Sequence, residues 1–140
     1  MARVLVADGF KPWREMIGRL LENELNLLVL HSSCDGMDAI RQSSHYRPDL
    51  VVLEVDLPGL CGLEVARQLS QLSPKPKVLF LSMNMDPDVV QAAFDAGAFA
   101  YVLKTDAAKD LLVAVPQVFA GKRFISTAIS STLEFRTPNF

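Results

Sequence analysis

The sequence predicts an α/β fold, a parallel sheet doubly wound by helices on both faces, on three observations. Five short, nearly continuous apolar runs recur along the chain, at residues 4–7, 27–30, 50–53, 78–81 and 100–103. Their starts lie 22 to 28 residues apart, the length a parallel crossover of one helix and two loops needs. The segments between them carry helical spacing. Continuous apolarity is what strands covered on both faces require, because neither side-chain direction meets water. With right-handed crossovers the alternation gives three layers, helix, sheet and helix.

Each helix has its own stripe. Trp13, Met16, Ile17, Leu20 and Leu21 form the first; the second segment, around Met37 and Ile40, is the thinnest pattern. Ala66, Leu69 and Leu72 form the third, Val90, Ala93 and Phe94 the fourth, and Leu111, Leu112, Val115, Val118 and Phe119 the last. Boundary residues agree. Asp86-Pro87 reads as an N-cap before a first-turn proline, Asp106 as the cap of the last helix, and Gly97 and Gly121 as C′ glycines. Pro116 falls inside the last stripe, where a missing N–H is expected to kink or end the helix.

The bulk numbers narrow the function. A chain of 140 residues, 50% apolar and 21% charged, is one globular domain. No apolar run approaches the ~20 residues of a membrane span, and Met1-Ala2-Arg3 does not begin a signal peptide, so a cytoplasmic protein is expected. Cys34 and Cys61 lack disulfide or zinc spacing and read as reduced thiols. A net charge of −2 and a pI near 5.6 point to a protein partner rather than direct contact with nucleic acid.

In such a sheet the working site lies beyond the carboxyl ends of the strands. The residues there are Asp8, then Glu54 and Asp56, then Ser82, then Lys104. Singly each has a plainer reading: Asp8 as a helix cap, Lys104 as a solvated charge, Tyr101 as core, Trp13 as a first-helix core residue, His31 and His45 as surface or satisfied histidines. Jointly they bring carboxylates, a hydroxyl and an amine together from four strands.

That set resembles the response-regulator receiver family of two-component phosphorelay signalling, across nearly the whole chain. The segments that carry the resemblance are Val4-Leu5-Val6-Ala7-Asp8, Pro48-Asp49-Leu50-Val51-Val52-Leu53-Glu54, Leu57-Pro58-Gly59-Leu60-Cys61-Gly62-Leu63-Glu64, and Ala96-Gly97-Ala98-Phe99-Ala100-Tyr101-Val102-Leu103-Lys104. Val118-Phe119-Ala120-Gly121-Lys122-Arg123-Phe124-Ile125-Ser126 is similar to the subgroup whose receivers precede a helix-turn-helix output domain. The resemblance implies a flavodoxin-like, five-stranded sheet of order 2-1-3-4-5, with residues 1–122 as the receiver and 123–140 as an extension or truncated linker without an output domain.

It also implies roles. Asp8 is an acid of the magnesium site, Glu54 the phosphoacceptor position and a metal ligand, and Asp56 the donor of a backbone carbonyl to the metal. Ser82 and Lys104 contact the phosphoryl oxygens, and Ser82 and Tyr101 form the switch that alters the face of the fourth helix, fifth strand and fifth helix. The implied partners are a histidine kinase or another signalling protein, and a second copy through that face, with no membrane; such a domain is not an enzyme.

Two positions depart from the family. Gly9 stands where a second acid reaches the metal, and Glu54, four residues before Pro58, stands where aspartate is expected. Glutamate is longer by one bond, about 1.5 Å, and an in-line transfer is sensitive to displacements of about 1 Å. Losing a carboxylate weakens a magnesium site. The reading is therefore a degenerate phosphoacceptor, with Mg2+ weakly held or absent, in a domain that acts by protein contact with little or no phosphorylation. Glu54 is expected to reach Lys104 directly. The alternatives are a conventional magnesium-dependent receiver using Glu54 and, further off, a flavodoxin-like mononucleotide binder, which the acid and single glycine of Asp8-Gly9-Phe10-Lys11-Pro12 suit poorly. An aspartate-nucleophile phosphatase needs Asp-x-Asp, and Phe10 takes its second place.

Overall fold

The five apolar runs form β1 (Arg3–Ala7), β2 (Leu28–Ser33), β3 (Leu50–Leu53), β4 (Lys77–Ser82) and β5 (Ala100–Leu103). The computed structural model describes residues 1–130. Between and after the strands lie α1 (Lys11–Leu25), α2 (Gly36–Tyr46), α3 (Gly62–Leu69), α4 (Pro87–Asp95) and α5 (Ala107–Phe119). All strand pairings are parallel, in the order β2-β1-β3-β4-β5.

A sixth strand corrects the five-stranded expectation. After α5 the chain turns at Gly121 (φ 78°) and returns as β6 (Phe124–Ile125), parallel to β5, followed by the short helix α6 (Thr127–Ser130). Two residues are too few to show a strand period, so only tertiary pairing reveals it. Ile129 is fully buried, in the same core cluster as Tyr101 and Phe94. The sequence continues with Leu133, Phe135 and Phe140, expected from their apolar character to pack on the domain or on another subunit, and these lie outside the described residues.

Strand alternation splits the core in two. Leu5, Ala7, Val51, Leu53, Phe80, Tyr101 and Leu103 face α2, α3 and α4, whereas Val4, Val6, Leu50, Val52, Leu79, Leu81 and Val102 face α1 and α5. The central strands are thus apolar on both sides, which is why their sequences read as runs.

Side-chain caps fix the entry of two helices, α4 and α2. Asp86 accepts the Asp88 N–H at 2.9 Å, as expected, and Asp35 caps α2 by accepting the Asp38 N–H at 2.8 Å. Asp106 differs from expectation. It occupies the N-cap position of α5 without a side-chain cap, because a 3₁₀ turn, Lys104–Asp106, already leads into the helix. Nor does Pro116 end α5, which runs on to Phe119. Pro116 and Leu112, whose carbonyl would have taken the missing N–H, both lie on the exposed face, where water can substitute.

Gly62 matters for the site. A Cβ there would lie 2.1 Å from the Glu54 carbonyl oxygen, and the Gly62 N–H donates to Val55 O at 2.7 Å. Only glycine lets α3 begin this close to the end of β3. Gly59, at φ 79°, supplies the left-handed turn of the same loop.

Candidate functional site

The ends of β1, β3 and β5 converge as the spacing predicts. Lys104 Nζ lies 2.7 Å from Asp8 Oδ2 and 2.7 Å from Glu54 Oε1. The three side chains are only 6%, 4% and 8% exposed, respectively, so the ion triad is sheltered from water. The indole of Trp13, read from sequence as core, sits 5.0 Å from the ammonium and adds a cation–π contact.

The remaining carboxylate oxygens are also engaged. Glu54 Oε2 accepts the Val55 N–H at 2.6 Å and the Asp56 N–H at 3.3 Å. The extra methylene of glutamate thus lets one oxygen turn back onto its own backbone while the other reaches the lysine. Asp8 Oδ1 accepts the Phe10 N–H at 2.9 Å, and Arg14 donates to the Asp8 carbonyl at 2.7 Å, which ties the acid to the start of α1. Burial alone would lower the pKa of Lys104. The hydrogen bonds and charges of Asp8 and Glu54 outweigh it and raise the pKa above the ordinary lysine value, so the amine stays charged.

Ser82, at the end of β4, is paired in register with Leu103, the residue before Lys104. Its hydroxyl accepts the Asn84 N–H at 3.1 Å. Tyr101 is fully buried, its ring stacked 6.0 Å from Phe80 and its hydroxyl donating to Asn84 O at 2.6 Å. Burial pushes its pKa up to about 12. Asn84 therefore links the Ser82 and Tyr101 side chains through its own backbone, a role no side-chain pattern announces. Met83 is 58% exposed and does not fill the site. Asp56 is exposed and meets Glu54 through its N–H.

A divalent cation of the kind the family resemblance implies does not fit these side chains as arranged. Magnesium wants near-octahedral oxygen donors, including one or two carboxylates free to bind. Here Asp8 and Glu54 both turn an oxygen to the lysine, Gly9 contributes no donor, and among the described residues no group of three or more His, Cys, Asp or Glu is placed to hold a metal. An acid at position 9 would also crowd Pro58, whose Cδ lies 2.9 Å from the place of the added Cβ.

A doubly wound sheet with an acid, a carboxylate, a hydroxyl and a lysine at four strand ends defines a receiver-type signalling domain. The chain belongs to the response regulator receiver domain family, whose model matches residues 4–116. It is 34% identical over 130 residues to the transcriptional activator protein ExaE of Pseudomonas putida, covering 93% of this chain and 61% of that protein. It is 31% identical over 137 residues to the response regulator GacA of Pseudomonas aeruginosa, covering 98% of this chain and 64% of the relative. The chain thus spans less than two thirds of the length of these relatives. A crystal structure of a two-component response regulator of the LuxR family from an Aurantimonas species superposes with a TM-score of 0.88 at 30% identity, over 94% of each chain. The isolated receiver domain of RcsB from Salmonella enterica, solved with the phosphomimetic BeF3-, has a TM-score of 0.87 at 24% identity over 95% of this chain and 99% of that one, a likeness of fold.

Proposed function

We propose that this receiver acts by protein contact, with its switch set by its own side chains and little or no phosphorylation. The observation that carries the reading is the Lys104 ammonium, held 2.7 Å from both Asp8 and Glu54. Glu54 occupies the phosphoacceptor position, and its charge rests on the lysine that would otherwise contact a phosphoryl oxygen. Asp8, Glu54 and Lys104 sum to −1, so the pocket has little left for a cation to neutralise. Mg2+, through Asp8, Glu54 and the Asp56 carbonyl, is therefore at most weakly held. Tyr101, buried with its hydroxyl on Asn84, belongs with Ser82 to the switch.

The receiver is taken as residues 1–122, with 123–140 an extension or truncated linker whose first part, through residue 130, packs on the receiver as β6 and α6. The surface of α4, β5 and α5 is its contact face, toward a histidine kinase, another signalling protein or a second copy. It is a stoichiometric signalling partner rather than an enzyme.

Glu54→Gln keeps the shape and removes the charge. Hydrogen exchange of residues 83–86 and of α4 is expected to rise on the order of tenfold in the variant, relative to the β3 amides, as a coupling between two sites of ordinary size. Equal protection in parent and variant rejects the reading. If the parent gains an acyl phosphate on Glu54, the conventional magnesium-dependent receiver replaces it.

A further inference from the structure

On its outer side β5 is held by Ser126 of the C-terminal segment, which is held in turn by Asp110 of α5. Ser126 is fully buried and Asp110, on α5, nearly so. The Ser126 hydroxyl donates to Asp110 Oδ2 at 2.7 Å and accepts the Leu103 N–H at 2.9 Å, while its own N–H donates to Tyr101 O at 3.0 Å. One serine thereby satisfies polar groups on both sides of Val102, at the end of the strand that carries Tyr101 and leads directly into Lys104. The bond to Asp110 is charge-assisted and buried, the stronger kind of side-chain hydrogen bond. Three residues further on, Ile129 packs in the same apolar cluster as Tyr101.

We propose that Ser126 and Asp110 are positioning residues that latch the C-terminal segment, 124–130, to the Lys104 pocket, so that the pocket and the docking of that segment share one equilibrium. The inference rests on the reading of the triad as the switch. Its physical basis is separate: Leu103 has its N–H on Ser126 and its peptide neighbour in the ion triad, so a shift of either end moves the other. Coupling of this kind is reciprocal. Release of the segment loosens Lys104, and opening of the triad loosens the segment.

The test uses the full 140-residue chain and NMR from both ends. In Ser126→Ala the Lys104 ammonium resonance is expected to shift and its protons to exchange faster. Asp110→Asn, which keeps an acceptor for the hydroxyl, should resemble the parent, and Asp110→Ala should resemble Ser126→Ala. From the other end, Glu54→Gln should raise amide exchange in 124–130 on the order of tenfold relative to the β3 amides, and this arm stands even if Ser126→Ala does not fold. Exchange in 124–130 unchanged within about twofold in Glu54→Gln overturns the latch, as does an unmoved Lys104 resonance in a folded Ser126→Ala. If 83–86 responds in Glu54→Gln while 124–130 does not, the latch fails and the switch reading stands. If 83–86 is silent while 124–130 responds in Glu54→Gln and Ser126→Ala shifts Lys104, the switch reading fails alone.

Discussion

Two polar clusters, each built around one central charge with two partners, sit in very different surroundings. In the pocket one cation, Lys104, closes two acids at 2.7 Å each. On the rim of β2 and α2 one acid, Asp38, closes His31 at 2.9 Å and Arg41 at 2.7 Å. The Lys104 side chain is 6% exposed, whereas Arg41 is 68% exposed and His31 29%. The difference teaches where charge is structural and where it is decoration. A surface pair gains little over hydrated ions, but a buried charge that loses its partner cannot recover its hydration. The pocket should therefore respond sharply to single substitutions, and the rim should not.

The largest effect is expected at Lys104. Replacing it by methionine leaves Asp8 and Glu54 facing each other without a counter-charge, and denaturant unfolding should register a loss of about 3–5 kcal/mol. A loss of under about 1 kcal/mol would put the pocket in the same class as the rim.

Rebuilding the pocket should have an intermediate effect. Gly9→Asp with Glu54→Asp restores a second acid and draws the third carboxylate back from the lysine. Calorimetric titration with Mg2+ is expected to give a measurable affinity in the double variant and none in the parent. The Pro58 ring, 2.9 Å from the new Cβ, makes some loss of stability part of the outcome. Equal magnesium binding by both proteins would remove the link between donor count and metal affinity.

The smallest effect is expected at the rim. Burial pushes the Asp38 carboxyl up, but hydrogen bonds to His31, Arg41 and Gln42 help bring it down from 3.8 to about 2. A depressed acid stabilises the fold above its unfolded pKa and loses that contribution as pH falls through the folded one. Asp38→Asn should thus cost up to about 1 kcal/mol near neutrality. The gap between parent and variant should close as pH drops from about 4 toward about 2. A gap that widens on acidification would contradict the assignment.

Much of this was legible in the sequence because it depends on spacing. The strand runs fix which residues come to the carboxyl ends, and that alone gathers Asp8, Glu54, Ser82 and Lys104. Lys104 against Glu54 followed from the length of glutamate and the missing acid at Gly9. The backbone turn of Glu54 Oε2, the Asn84 link and the Trp13 contact did not follow, since rotamers and loop carbonyls leave no periodic trace. Ser126 and Asp110 were hidden for another reason. Sixteen residues apart, they meet only because a two-residue strand brings the chain back along β5, and so short a strand carries no pattern of its own.

Lys104 already engages both carboxylates of the pocket from within, which leaves Glu54 little reason to accept a phosphoryl group. Intact-mass analysis of the parent, after incubation with Mg2+ and a small acyl-phosphate donor, tests it most directly. An unchanged mass is the predicted result, and a stable phosphoryl gain that fragmentation maps to Glu54 would contradict it.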